Sequence, residues 1–356
     1  CEFQGEVKAQ RTHFESDVDF TGAVFAAKVD FDEVLFNGDG IYKDVTFESD
    51  ATFRGSEFNG GTNYHREDAV FTNANFRGDV DFSEAVISSG NFTGTTYLRD
   101  ADFTELTITE ELNMKGKSFE ETAYFDFTKA DLPDGTITLP VEGYPRYDFT
   151  LATLGDVTIE PENDDDNRVL LDYVRFCDTT FDGFDFTNHT EYLDRNNWEI
   201  HTFKSRYTDD EYALEMTAPI REKTYLNAKR SASDQSNQKA AGEFRVKRQL
   251  ASKVKHKQIF YDSTESLQTR IANGLRATEN AFLGITCGYG LRLYRITGVF
   301  IIFPAFAAVV FAFGGPLFET GAGQTTISSV LACPGLETLA VNVYFSYITF
   351  LTIGYG

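Results

Sequence analysis

The sequence predicts a mixed architecture: a parallel β-coil, then a mainly helical connector, then a membrane helix followed by a re-entrant segment. Three observations predict it. Phenylalanine recurs every five or six residues through the first part of the chain, a basic stretch rich in Ala and Lys follows, and Ile296 to Gly356 holds no lysine or arginine. We place the boundaries at residues 1–190, 191–290 and 291–356.

The coil is read from spacing. Phenylalanines stand at Phe14, Phe20, Phe25, Phe31, Phe36, Phe47, Phe53 and Phe58, and again at Phe71, Phe76, Phe82, Phe92 and Phe103. Two positions before many of them sits a small or β-branched residue, such as Val18, Ala23, Val29, Val34, Ala51, Ala74 or Val80. Neither a helix period nor a strand alternation explains a five-residue step, so each step is one flat side of a coil. The six-residue steps imply single-residue bulges at corners. Residues 131–170 break the rhythm with Pro133, Pro140, Pro145, Pro161 and the run Asp164 to Asp166, which predicts an irregular or decorated coil there.

Blocks such as Ala74 to Val86, "ANFRGDVDFSEAV", resemble the pentapeptide-repeat family over roughly residues 1–130, with a weaker return at 174–186. The resemblance implies a right-handed, quadrilateral parallel β-helix with stacked internal phenylalanines, in which neighbouring turns bury what one repeat cannot. Some acidic members of that family mimic duplex DNA and inhibit topoisomerases. An anchored or soluble binding module of this kind is the alternative function.

Acidic residues outnumber basic ones, 55 to 32, for a formal charge of -23. That sign argues against a nucleic-acid binder. The acidity concentrates before about residue 215 and suits a surface facing high salt, pointing to a halophilic source; an ordinary solvated acidic face is the plainer explanation. Cys1, Cys177, Cys287 and Cys333 have neither disulfide-framework nor zinc spacing. His13, His65, His189, His201 and His256 are scattered. No cofactor and no catalytic constellation is indicated, and no enzyme is expected.

The connector carries Lys229, Arg230, Lys239, Arg245, Lys247, Arg248, Lys253, Lys255 and Lys257 in helix-favouring sequence, broken at the loop "SASDQSNQ". Its charge precedes an apolar run, which points to the cytoplasmic face of an anionic membrane. Ile296 to Phe318 is uncharged and exceeds the ~20 residues needed to cross a bilayer. We expect a span over 293–318, kinked at Pro304, an outer loop over 319–335, and a re-entrant helix over 336–351. The solenoid and connector would then be cytoplasmic.

The chain's last stretch, "YFSYITFLTIGYG", resembles the pore helix and selectivity filter of potassium channels. The resemblance implies that K⁺ is coordinated by the backbone of Thr352, Ile353, Gly354, Tyr355 and Gly356, whose carbonyls replace its hydration shell. Tyr344, Phe345, Ser346 and Thr349 would support the filter from the pore helix. It also implies a homotetramer around one ion axis, with membrane lipid as the other partner and no metal site besides the permeant K⁺. The earlier copy, Gly288-Tyr289-Gly290, lacks the threonine and the apolar helix, and reads as a turn. In the family an acidic residue and a second, pore-lining helix follow the filter. This chain stops before both, so these 356 residues would not conduct alone, and a fragment of a longer product is favoured over a decayed or dominant-negative subunit. Neither a voltage-sensing arginine run nor a dinucleotide-binding motif announces a gate.

Overall fold

The computed structural model describes residues 1–60, 68–116, 123–142, 145–163, 169–203, 217–313, 340, 343–344 and 346–348. The chain divides into two compact units, Cys1–Arg270 and Ile271–Gly356.

The first unit opens with a parallel β-solenoid. A five- or six-residue step leaves room for only two extended residues before the next corner, so most strands are dipeptides. The first face carries Glu2–Phe3, Val24–Phe25, Thr46–Phe47, Asn75–Phe76 and Thr96–Tyr97. The second runs through eight strands, from Val7–Lys8 to Val174–Arg175, which makes about seven turns (eight strands, seven steps). The third also has eight, from His13–Phe14 to Thr180–Phe181, and the fourth begins at Val18–Asp19. All pairings are parallel. In the early turns the register repeats every 22 residues, as Val24 opposite Thr46, Val29 opposite Ala51 and Leu35 opposite Glu57 show.

That register places ring on ring. Phe25 lies 5.2 Å from Phe47 at 6°, and Phe47 lies 4.8 Å from Phe76 at 1°. Phe53 stacks on Phe82 at 4.8 Å, and Phe127 on Phe149 at 4.9 Å. These distances match the strand spacing of ~4.8 Å, so one hydrogen-bonded rung carries one layer of rings. The residues two positions earlier, among them Val29, Ala51 and Val80, are buried beside them. Where that position holds a hydroxyl, a carbonyl of the coil accepts from it: Ser56 Oγ donates to Phe31 O at 2.6 Å, and Thr179 Oγ1 to Phe149 O at 2.6 Å.

Two kinds of corner alternate. The five-residue corners between the second and third faces each hold a residue at positive φ, including Glu33 (54°), Gly55 (62°), Glu105 (59°) and Leu151 (59°). Their i to i+3 hydrogen bonds, such as Ser56 N to Phe53 O at 3.1 Å, make them tight turns. The six-residue steps, such as Phe36 to Tyr42, belong to a second corner type that recurs once in every pair of sides; they are a regular part of the coil and not bulges inserted into it.

Residues 131–161 correct the expectation of broken rhythm. Asp131–Leu139 and Thr153–Pro161 are nine-residue strands that cross the third and fourth faces without a dipeptide break and pair in parallel. The prolines fall where no ladder N–H is required: Pro133 at the skipped register position, Pro161 at a strand end. Aliphatic residues replace rings there, with Leu132, Leu154, Ile137 and Ile159 buried. Gly135 sits at φ 138°, where a Cβ would fall 2.1 Å from Leu112 O. The run Asp164 to Asp166 lies outside the described residues.

Helices close the unit. After α1 (Thr190–Arg195), α2 (Ala218–Asp234) and α3 (Gln238–Tyr261) form a hairpin whose break is Gln235 to Asn237, at the predicted loop. Asn237 caps α3 by accepting from Ala240 N at 3.1 Å. One stripe of α2 serves the last coil: Thr224 Oγ1 accepts from Asp178 N at 2.8 Å, Asn227 donates to Thr179 O at 3.0 Å, and Ser231 donates to Phe184 O at 2.7 Å. The helix thus meets polar groups that a further coil would otherwise have met. Phe244 of α3 packs edge-on to Phe186 and Trp198, extending the core under the hairpin.

In the second unit, α5 (Leu293–Phe313) contains Pro304, and the Gly288–Gly290 turn precedes it with Tyr289 at φ 57°.

Two substitutions read out the core by denaturation followed through Trp198 fluorescence. Phe53→Ala is expected to cost about 3–5 kcal/mol, because its ring is fully buried between Phe31 and Phe82. Tyr42→Phe is expected to gain about 1 kcal/mol, since the buried Tyr42 hydroxyl has no hydrogen-bond partner among the described residues.

Candidate functional site

None of the residues assigned to ion coordination lies among the described residues, while two of the four assigned to support them, Tyr344 and Ser346, do. Phe345, Thr349 and the whole run Thr352, Ile353, Gly354, Tyr355 and Gly356 lie outside the described residues, as does the outer loop 319–335. Val343, Tyr344, Ser346, Tyr347 and Ile348 have helical backbone. Tyr344 is exposed, while Ser346 is buried with no partner for its hydroxyl among the described residues. Tyr347, absent from the sequence-based set, donates its hydroxyl to Ile301 O at 3.0 Å. Pro304 has no N–H to give to the carbonyl of Phe300, so the bond falls one residue along from a disrupted helical position. The signal in the sequence was a tyrosine three residues after Tyr344 in a run otherwise read for its aromatic pair. Over its described residues, no helix is long and apolar enough to cross a membrane.

The solenoid offers a second candidate. On its second face the residue between each inward pair points out, and it is repeatedly aspartate: Asp30, Asp81, Asp102, Asp126 and Asp148. Three of them, Asp30, Asp81 and Asp102, with Asp32, Asp50, Asp79 and Asp100 beside them, line a groove of about 550 Å³. Lys28 and Arg54 are its cations; Arg54 bonds Asp32 at 3.1 Å, and Gln10 bonds Asp30 at 2.6 Å. Burial raises the Asp79 carboxyl above the usual range, and Asp50 and Asp100 push it further. Burial likewise raises Asp126. The sequence reading took these carboxylates as a solvated face. Their alignment was legible in triplets such as Val29-Asp30-Phe31 and Ala101-Asp102-Phe103, one per turn.

The row ends in a closed cluster. Asp148, 2 % exposed, accepts from Arg175 Nε at 3.0 Å, Tyr124 Oη at 2.6 Å and Thr150 N at 3.0 Å, and the Arg175 guanidinium lies 4.7 Å from the Phe203 ring. Every lone pair of that carboxylate has work within the fold, so the cluster is structural. Burial pushes the Cys177 thiol up to about 11, which leaves it protonated and unreactive at neutral pH. Among the described residues, no three His, Cys, Asp or Glu are grouped to hold a metal ion. His65 lies outside them.

The basic connector is less free than its sequence suggested. Lys247 pairs with Glu199 at 3.3 Å, Lys239 with Asp194 and Lys255 with Glu222, and Lys223 meets Asp178 at 2.8 Å. Part of its charge therefore binds the hairpin to the end of the solenoid.

Residues 71–118 match the family model described as pentapeptide repeats (9 copies). These residues are pentapeptide repeats within the parallel β-solenoid. The structure carries the same coil well beyond the matched residues, from Glu2–Phe3 to Thr180–Phe181. No curated protein and no solved structure matches the chain.

His189 gives the solenoid's end a pH dependence. It is 3 % exposed, stacks on Phe184 at 6.1 Å and 8°, and burial lowers its pKa to about 4 against an ordinary value of 6.5. Asp185 opposes that shift. Between pH 6.5 and about 4 the unfolded chain binds the proton and the folded chain resists it, so stability falls as pH falls through that window, by up to about 3 kcal/mol. His189→Gln is expected to flatten the dependence, as followed by denaturation at pH 7, 5.5 and 4.5; an unchanged slope would remove His189 as its source.

Proposed function

We propose that this pentapeptide-repeat scaffold protein is a subunit of a potassium-selective channel. The observation that carries the reading is the run Thr352-Ile353-Gly354-Tyr355-Gly356 behind a short apolar segment, in the order basic flank, apolar helix, polar loop, apolar helix, filter. Support comes from the sequence run Ile296 to Phe318, which carries no charge and exceeds the ~20 residues a hydrocarbon core requires. The helical backbone of Tyr344 and of Ser346 to Ile348 supports it too.

In this reading four copies surround one axis. Backbone carbonyls from Thr352 to Tyr355 take the place of water around K⁺, and the glycines permit the positive φ that carbonyls aligned at successive residues require. Tyr344 and Phe345 brace the filter from outside, with Ser346 and Thr349 on the pore helix behind it. K⁺ is the permeant ion, no other cofactor takes part, and no bond is made or broken. The solenoid is cytoplasmic and acts as scaffold or regulator.

A second reading is favoured by the aspartate-lined groove: an anchored or soluble binding module whose acidic face mimics duplex DNA or receives a cationic partner.

Proteoliposomes of the gene product containing this chain separate the two. K⁺ uptake that excludes Na⁺, and that Gly354→Ala abolishes, is the expected result. Correctly inserted protein that passes no K⁺ in either form would overturn the channel and leave the binding module.

A further inference from the structure

The helix α4 (Leu267–Cys287) has an apolar face without a partner among the described residues. Leu267, Leu275, Phe282 and Ile285 are 70, 68, 64 and 75 % exposed, and Ile271 is 51 % exposed. At about 100° per residue these five fall within roughly 80° of one another, with Thr278 among them, and no charged side chain enters that arc. So ordered a stripe on a soluble helix normally faces a core. Here the interior position is given to Asn273, which is buried, while the large side chains point away.

The charges around the stripe say what covers it. Residues 267–295 carry four arginines, Arg270, Arg276, Arg292 and Arg295, against one acid, Glu279, in a chain whose net charge is -23. Arg270 flanks the stripe on one side, and Arg292 and Arg295 sit where the chain passes from α4 into the apolar helix α5. Pairing with a second copy would gain nothing from these guanidiniums and would set like charges near one another. Anionic headgroups complement all four. A helix with an ordered apolar stripe, arginine on its remaining faces and modest overall hydropathy lies in the plane of a bilayer interface.

We propose that α4 is an interfacial helix that rests on an anionic lipid surface, with Leu267, Ile271, Leu275, Phe282 and Ile285 in the boundary between headgroups and acyl chains. The inference deepens the membrane reading above and rests on it. The Gly288–Gly290 turn, with Tyr289 at φ 57°, is the point where the chain leaves the plane.

The test uses the full chain in liposomes containing anionic lipid brominated high on the acyl chain, with Trp198→Phe as background so that each introduced tryptophan is the only one. Phe282→Trp reports the apolar stripe, Asn280→Trp the opposite side of the same helix about 160° away, and Phe303→Trp reports α5. We expect Phe282→Trp to be quenched several-fold more than Asn280→Trp, with the difference shrinking when zwitterionic lipid replaces anionic lipid. Quenching of Phe303→Trp with equal responses from the two α4 sites would overturn the interfacial helix while leaving the span intact. Quenching at none of the three sites would overturn both. An unquenched Phe282→Trp whose emission shifts to the blue with protein concentration would give the stripe to a second copy instead and also overturn the proposal.

Discussion

Everything in the first unit follows from one requirement, that the chain return to the same register on each circuit. Parallel rungs fix the height of a turn at the strand spacing, and only a return to the same place on each face keeps phenylalanine above phenylalanine. Phe25, Phe47 and Phe76 obey it even though the last step is seven residues longer, 29 against 22, because the extra length is taken up between Phe58 and Ala69 and not within a face. The outward aspartates inherit the same order. Once Val29 and Phe31 face in, Asp30 must face out, and repetition stacks it near its counterparts whether or not like charges welcome the arrangement. Burial is the larger cause of the raised Asp79 carboxyl, and its neighbours Asp50 and Asp100 on adjacent turns add to it.

The ends of such a coil pose a different problem, because strand edges there lack the next rung. At the C-terminal end α2 answers with side chains in place of backbone: Thr224, Asn227 and Ser231 recur at helical spacing and meet N–H and C=O groups that are themselves spaced along the last coil. Helix and strand periods rarely coincide over more than a few contacts, so the match is confined to one stripe. The buried Asp148–Arg175 pair sits close to this end, where the outward row is no longer open to solvent. A carboxylate in that position needs its guanidinium, whereas Asp81, Asp102 and Asp126 accept from the backbone N–H groups of Ser83, Thr104 and Thr128 two residues on.

Much of the solenoid was readable because its spacing is a property of single residues. The Phe step and the small residue two places before it identify inward positions directly, and both survive in the structure from Phe25 to Phe103. What could not be read was the compensation between distant parts. Pro133 and Pro161 look like breakers in sequence, yet their missing N–H groups fall at a skipped register position and a strand end, which only the pairing reveals. The connector's lysines look free for the same reason, since Glu199 and Asp194 lie tens of residues from Lys247 and Lys239. At the candidate ion site the sequence carries a motif, but motif and geometry meet only at Tyr344, Ser346 and the Tyr347 hydroxyl on Ile301.

With the helical hairpin closing its end, the coil has a length set by its number of circuits. Each circuit advances the chain by about 4.8 Å, so seven circuits set the first turn and the helical hairpin about 34 Å apart. Duplication or loss of one circuit would change that separation by a single graduation and leave both ends chemically unaltered. The separation between the first turn and the hairpin can therefore change only in discrete increments.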